Sequence, residues 1–412
     1  MNDLELARRN IDTIDREMAA LFARRLEEVR QVAAYKQANN LPVFDAAREA
    51  QVLANRTEAV PEDIRTPYRQ FLQGVMDASK TYQYALLGDT VVGRSRVHIE
   101  RGALRQADLF DLDRKVLIVT DDGVPPQYAD GIAAQCKSPF RFVFPHGEEN
   151  KTLQTAEKIL QTLQVNEFTR ADCIVTVGGG VVGDVGGFAA SCYMRGIDFY
   201  NVPTTLLSQA DASVGGKTAV NLGGIKNSVG AFYPPKAVLI DPETLRTLPQ
   251  RRIADGIAEI IKEAVTLDGA LFAALESGKA DTETALRRAV QLKKNIVEQD
   301  MREQNLRRVL NFGHTVGHAI ESVSGLYHGE SVALGMLPMC TAEVRTRLIS
   351  LYQKWGLPAE LPVPKEMLFA ALRHDKKRVT DSIAAVFSDA VGSYVIRKVP
   401  LSAIEQRIRE TW

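Results

Sequence analysis

The sequence has 412 residues, 45% apolar and 25% charged, with 51 Lys+Arg balancing 51 Asp+Glu, which predicts two or three globular domains with real cores. A net charge of zero excludes the basic surplus of a nucleic-acid binder, and Cys136, Cys173, Cys192 and Cys340, with no C-x-x-C pair, argue against a disulfide framework. The opening MNDLELARRNID has no apolar signal core, and the longest apolar stretches are glycine-rich or broken by Asp184, so a cytoplasmic protein with neither nucleic acid nor membrane as partner is expected.

Glycine is unevenly used: of 29, 2 fall in residues 1–90, 17 in 91–250 and 10 in 251–412. Helices need little glycine and phosphate-binding βα loops need much, so the predicted order is helical, α/β, helical. Residues 4–39 predict one long helix, with Leu4, Ile11, Ile14, Met18, Leu21, Phe22, Leu26, Val29, Val32 and Ala33 at helical spacing. At 1.5 Å per residue it spans roughly 54 Å, too long for a 90-residue globule to cover, so it needs a partner. Asn39, Asn40 and Pro42 end it, Asp45 caps a second helix over 46–58, and Pro61 opens a third running to about 86. Arg25 lies on the apolar stripe and Lys36 lies three turns further on the same face. Buried cations require anionic partners, either in the chain (Glu28, Glu49) or in a ligand.

This segment resembles the all-helical chorismate mutase family over its whole length. The resemblance rests on Arg8, Arg25, Lys36 in AAYK, Asp45, Arg48 and Glu49 in VFDAARE, and Ser79 and Gln83 four apart on the third helix. In that family the first arginine comes from the other subunit of an intertwined dimer. The spacing agrees, because Arg8 and Arg25 are 25 − 8 = 17 residues apart, about 26 Å along one helix. The implied reaction, chorismate to prephenate, is pericyclic and needs no proton transfer, which fits a segment without histidine. It needs a rigid cationic cavity. The resemblance implies that Arg8, Arg25 and Arg48 hold carboxylates, Lys36 and Gln83 face the ether oxygen, and Glu49 meets the hydroxyl.

Further along, KVLIVT (115–120) is a buried-strand run ending in Asp121, and DCIVTV (172–177) is another. Gly178, Gly180 and Gly183 then satisfy G-x-G-x-x-G between strand and helix, a spacing that serves a pyrophosphate or close packing. Asp184 directly after the third glycine fits an ordinary dehydrogenase fingerprint poorly. The stretch SVGGKTAVNLGGIKNSVG places Lys217, Lys226 and Asn227 among glycines without the Walker spacing. It reads either as a substrate-phosphate site or as a loop with solvated lysines. Three of the six histidines, His314, His318 and His328, fall within 15 residues. Thr315 stands where a zincin has its glutamate, so a metal bound here would need a carboxylate from elsewhere.

From about 90 to 412 the chain resembles 3-dehydroquinate synthase, of the sugar phosphate cyclase superfamily, through GGGVVGDVGGFAASCYMRG, VPTTLLSQADASVGGKTAVN, AEIIKEAV, NFGHTVGHAIE and HGESVALGM. The resemblance implies an α/β Rossmann-like NAD-binding domain and a mostly α-helical metal- and substrate-binding domain. Glu259, His314 and His328 would be ligands of zinc or cobalt. NAD would contact Asp121, Glu148, Lys151, Gly179, Gly180, Asp184, Thr204 and Thr205. The substrate pocket would comprise Arg195, Asp211, Lys217, Lys226, Asn227, Lys262, Lys293, Arg307, Asn311, His318 and Lys376. Gly123 departs from the family at an adenosine-ribose Asn, and Arg252 departs at a Glu that helps hold NAD.

The implied activity converts 3-deoxy-D-arabino-heptulosonate 7-phosphate to 3-dehydroquinate by oxidation at C5, loss of phosphate, re-reduction, ring opening and aldol closure. Lys217, Asn227, Asn311, His318 and Arg195 would clamp the phosphate. Lys293 and Arg307 would hold a carboxylate, which separates this substrate from sedoheptulose 7-phosphate or glucose 6-phosphate. The expected divisions are 1–88 (mutase), 89–250 (NAD) and 251–412 (metal and substrate), in a homodimer or higher homo-oligomer. The alternative is a synthase whose helical segment chiefly senses chorismate or prephenate, or dimerises.

Overall fold

The computed structural model of the chain describes residues 2–39, 41–107, 109–300, 303, 305–374 and 382–412. The chain divides into two compact units, Met1–Val91 and Val92–Trp412. Among the described residues no helix is long and apolar enough to cross a membrane.

The first unit is three helices: α1 (Asp3–Ala38), α2 (Ala46–Glu58) and α3 (Arg65–Leu86). A capping box starts α1, with Asn2 Oδ1 accepting from Glu5 N at 2.9 Å and Glu5 Oε2 accepting from Asn2 N at 3.2 Å. Asp45 Oδ1 caps α2 by accepting from Arg48 N at 2.9 Å. The third helix begins later than its proline suggests. Pro61 is extended (φ −51°, ψ 146°) and opens a single 3-10 turn, Glu62–Ile64, ahead of α3. Within α1 only Val29 and Ala33 are buried, because 13 and 22 residues of partner helix cannot cover 36. Ile11, Ile14, Met18, Leu21 and Val32 are left exposed.

The division falls within β1 (Thr90–Val92), and β2 (Ser95–Ile99) follows in the second unit. Next come β3 (Lys115–Asp121), α4 (Pro126–Ala133), β4 (Ser138–Phe144), α5 (Leu153–Val165), β5 (Cys173–Gly178), α6 (Gly180–Cys192) and β6 (Asp198–Pro203). A hairpin of β7 (Lys217–Leu222) and β8 (Ile225–Phe232) precedes β9 (Ala237–Ile240). The main sheet runs β1-β2-β9-β6-β5-β3-β4 and is parallel from β2 to β4. Val116–Val119 and Cys173–Val177 are buried on both faces, as a sheet with helices on each side requires. From β3 the chain goes to β4 on one side and returns to β5 on the other, so the carboxyl ends of β3 and β5 flank a topological switch point. Helix α6 lies directly on the sheet, and a Cβ at Gly186 would sit 2.3 Å from Thr176 Cγ2.

The remainder is mostly helical: α7 (Gln250–Leu267), α8 (Gly269–Ser277), α9 (Thr282–Gln299), α10 (His314–Ser324), α11 (His328–Met336), α12 (Ala342–Trp355), α13 (Lys365–His374) and α14 (Leu401–Thr411). A small antiparallel pair, β10 (Ser382–Phe387) and β11 (Val395–Pro400), precedes α14. Helix α7 is buried without a break from Ala254 to Thr266. The backbones of α10 and α11 nearly touch, since a Cβ at Gly335 would lie 2.1 Å from Gly313 O, and α11 meets α7 as closely, since one at Gly329 would lie 1.9 Å from Asp255 O.

That proximity predicts a steep response to one methyl group. Gly335→Ala should force α10 and α11 apart at a cost of about 2–3 kcal/mol, read as a lower calorimetric unfolding midpoint. A midpoint equal to that of the unaltered protein would contradict the packing.

Candidate functional site

Helix α7 carries Glu259 to 1% exposure beneath the amino ends of α10 and α11. Among the described residues neither carboxylate oxygen of Glu259 has a hydrogen-bond partner, although Lys262 Nζ lies 2.5 Å from Oε2 as an ion pair without directed geometry. Its Oε1 faces two imidazoles, His314 Nε2 at 3.7 Å and His328 Nε2 at 3.5 Å. Both rings have their other nitrogen engaged: His314 Nδ1 is 3.2 Å from Phe312 O, and His328 Nδ1 is 3.2 Å from Glu321 Oε2. Two imidazoles fixed through Nδ1 with Nε2 turned to an unsatisfied carboxylate form a donor set suited to zinc or cobalt. His318 lies nearby, and one ring nitrogen from each of His314, His318 and His328 falls within 4.8 Å of the others.

Charge is concentrated below this cluster. Burial alone would raise the Glu259 carboxyl, but Lys262, His314 and His328 hold it well below the ordinary range. Burial lowers His314 to about 3, whereas His328, opposed by burial, is raised to about 10 between Glu259 and Glu321. Asp211 sits in a π-helical turn, Ser208–Ala212, and its Oδ1 accepts from the buried Lys293 Nζ at 2.6 Å. Glu263, 1% exposed and without hydrogen bonds among the described residues, is pushed by burial to about 8 against the pull of Lys262. Buried Arg307 packs against Gly215 at φ +110°, where a Cβ would come within 2.5 Å of Nη2.

The hairpin supplies further cations. Lys217 pairs with Glu303, which also accepts from Asn311 Nδ2 at 2.6 Å. Glu303 has φ +58°, a costly conformation for a non-glycine residue and one concentrated at functional sites. Lys226 Nζ donates to Glu321 Oε1 at 2.6 Å. Asn227, at φ +54°, accepts from Lys151 Nζ at 2.5 Å. Arg195 is exposed at φ +70° beyond α6, and none of the described contacts joins it to this group. Lys376 lies outside the described residues. Sequence reasoning missed Glu263, Glu303 and Glu321. Of these, Glu321 carried a signal, since 314, 318 and 321 fall on one helical face.

At the switch point Asp121 ends β3 and accepts from Gly123 N at 2.9 Å. Gly179 opens α6 with no side-chain cap, leaving first-turn N–H groups for an anion, and Gly180 follows it. Thr204 N donates to Gly178 O at 2.9 Å, and Thr205 Oγ1 accepts from Ser208 N at 3.2 Å. Lys151 Nζ lies 2.5 Å from Asp184 Oδ2, and Glu148 Oε1 accepts from Asn221 Nδ2 at 2.9 Å. These groups fit a dinucleotide. A Cβ at Gly123 would be 3.1 Å from His146 Cβ, so a larger residue there requires His146 to move. Arg252 stacks 3.7 Å over the Tyr327 ring.

In the first unit Arg25 Nη1 donates to Ser79 Oγ, and Lys36 Nζ donates to Val43 O at 2.6 Å. Gln83 is buried and its Oε1 lacks a partner among the described residues. Glu49 accepts from Lys80 Nζ at 2.8 Å and from Gln73 Nε2 at 2.8 Å, so Lys80 is a cation sequence reasoning passed over. Arg48 is exposed and donates to Gln51 Oε1 at 2.8 Å. Arg8 is exposed on α1.

Residues 141–255 match the 3-dehydroquinate synthase N-terminal model, 256–378 the corresponding C-terminal model, and 7–84 the chorismate mutase type II model. A 3-dehydroquinate synthase of Geobacter metallireducens is 43% identical over 319 residues, covering 71% of this chain and 89% of that protein. Among solved structures, 2-deoxy-scyllo-inosose synthase with carbaglucose-6-phosphate, NAD+ and Co2+ superposes with a TM-score of 0.72 at 27% identity, over 78% of this chain and 99% of the other. The 2-epi-5-epi-valiolone synthase of Streptomyces hygroscopicus subsp. jinggangensis with NAD+ and Zn2+ gives 0.70 at 28% identity, over 77% and 96%.

Two donor triads share His314 and His328, and they can be separated. Titration of the metal-stripped protein with Co2+ should show one bound ion, absent in Glu259→Gln and His314→Ala but retained in His318→Ala. Loss in His318→Ala with retention in Glu259→Gln would assign the metal to the three histidines.

Proposed function

Because this chain belongs to the 3-dehydroquinate synthase family and carries a chorismate mutase type II segment ahead of it, we propose that it is a bifunctional enzyme of aromatic biosynthesis whose two units each hold one site. The second unit converts 3-deoxy-D-arabino-heptulosonate 7-phosphate to 3-dehydroquinate and phosphate, and the first converts chorismate to prephenate. The observation that carries the synthase reading is the unsatisfied Glu259 carboxylate facing His314 and His328 beside the Lys262, Asp211 and Lys293 cluster.

Glu259, His314 and His328 would hold the metal, and Asp121, Glu148, Lys151, Gly179, Gly180, Asp184, Thr204 and Thr205 would hold NAD; the cofactors themselves match those bound in the two structural relatives. When bound, NAD supplies a reversible hydride acceptor and the metal supplies Lewis acidity at the reacting hydroxyl. The chain's own residues bind and orient. Lys217, Asn227, Asn311, His318 and Arg195 take the phosphate. A substrate phosphate on Lys217 and Asn311 takes the place of Glu303, which engages both. Lys293 and Arg307, both buried and both interacting with Asp211, favour a carboxylate-bearing substrate over a neutral sugar phosphate. Lys226, Lys262, Asp211 and Lys376 complete the pocket.

In the first unit Arg8, Arg25 and Arg48 take the carboxylates of chorismate, with Lys36 and Gln83 at its ether oxygen. Asp45, Glu49 and Ser79 complete the site. The exposed stripe of α1 supports a homodimer in which a second copy covers it and supplies Arg8. The functional divisions are 1–88, 89–250 and 251–412, and the four unpaired cysteines support a cytoplasmic setting.

The test is to assay both reactions on one purified chain. A chelator should remove dehydroquinate formation and leave chorismate consumption unchanged. Arg25→Ala should lower mutase turnover about 100-fold or more with the synthase rate unaltered. Undetectable mutase turnover together with a prephenate-sensitive synthase rate would establish the helical segment as a regulatory module instead.

A further inference from the structure

Glu321 is not among the groups to which the family resemblance gives a role. It stands on α10 seven residues after His314 and three after His318, on the same face, and its side chain is 13% exposed. Each of its oxygens has a different partner from a different element. Oε2 is 3.2 Å from His328 Nδ1 at the start of α11. Oε1 accepts from Lys226 Nζ at 2.6 Å, at the start of β8.

The His328 contact fixes the ring. With Nδ1–H given to Glu321, the other nitrogen is turned to Glu259 Oε1 at 3.5 Å, the orientation a ligand needs. A carboxylate at the far nitrogen also makes an imidazole a stronger donor. The Lys226 contact does the reverse, because an ammonium on the other oxygen draws the same negative charge away from His328. Lys226 is half exposed and belongs to the substrate pocket proposed above, so an anionic substrate bound there competes with Glu321 for it.

The geometry points to Glu321 as a positioning residue that couples the metal site to the substrate site. While it holds Lys226, Glu321 supports His328 weakly. When an anionic substrate draws Lys226 off, it supports His328 fully. Metal and substrate thereby strengthen each other's binding, as reciprocity between linked sites requires. The inference rests on the metal reading proposed above, and a metal titration separates the two.

The experiment is Co2+ affinity by chelator competition on the full chain, with no substrate, for the unaltered protein, Glu321→Gln, Lys226→Met and the double variant. Glu321→Gln should bind one ion about 10–100-fold more weakly. Lys226→Met should bind it several-fold more tightly, and that gain should vanish when Glu321 is already Gln, the non-additivity expected of residues acting through one contact. Glu321→Asp, keeping the charge, should recover part of the loss, and unfolding midpoints guard against a variant that has lost its fold. Affinity unchanged in Glu321→Gln, or a Lys226→Met effect of equal size in both backgrounds, would overturn the coupling. Absence of binding by the unaltered protein would instead overturn the metal reading itself.

Discussion

A carboxylate buried to 1% exposure with neither oxygen hydrogen-bonded among the described residues, at Glu259, is the constraint on which the helical half of the second unit is organised. An ionised carboxylate in such a place is affordable only beside compensating positive charge. Lys262, one helical turn along α7 and equally buried, supplies part of it. His328, raised to about 10, supplies the rest, and the two imidazoles can reach Glu259 only because α10 and α11 lie close against each other. That approach explains the glycines: Gly313, Gly317 and Gly335 remove side chains where backbone meets backbone, and Gly329 does so against α7.

The same electrostatic problem recurs one layer down with a different solution. Asp211 meets Lys293 through a π-helical turn, a distortion that recurs at functional sites. Glu263 has no directed partner among the described residues, and its carboxyl, raised to about 8 by burial, keeps its proton at neutral pH. A protonated carboxyl adds no charge to the cluster, so Lys262 and Lys293 remain available to the acids facing them.

Much of this was legible in the sequence because it follows from period and spacing. The long first helix, the Asp45 cap, the apolar strands ending at Asp121 and Gly178, and the histidine grouping all rest on local patterns. Pro61 misled by a few residues, since an extended proline serves a 3-10 turn as well as a helix start. Glu303 and Lys80 were not legible, because each acquires meaning from a residue 86 or 31 positions away, and Glu263 was not, because its meaning comes from burial. A glutamate beside a lysine in a helix reads as an exposed pair, and only the burial of α7 on all sides makes Glu263 an unpaired acid in a core. Residues 301, 302, 304 and 375–381, including the expected Lys376, lie outside what the structure describes.

Zero net charge conceals how the cations are kept. Lys217 rests on Glu303, Lys226 on Glu321, Lys293 on Asp211 and, in the first unit, Lys80 on Glu49. On the function proposed above, a substrate anion arriving at Lys217 or Lys226 would exchange with a carboxylate of the chain rather than meet a bare charge. Exchange gives less affinity than neutralisation, because the displaced acid must be resolvated. It confers discrimination in return. A phosphate that accepts from Lys217 and Asn311 together replaces both bonds of Glu303, whereas a ligand offering one acceptor leaves a partner unsatisfied. In the inner pair Lys293 is buried, while the Asp211 side chain that holds it at 2.6 Å is a quarter exposed. The ion pairs therefore differ in access, since Lys217 and Lys226 are about half exposed and open to exchange with an anion from solvent, whereas the Lys293 side chain is buried.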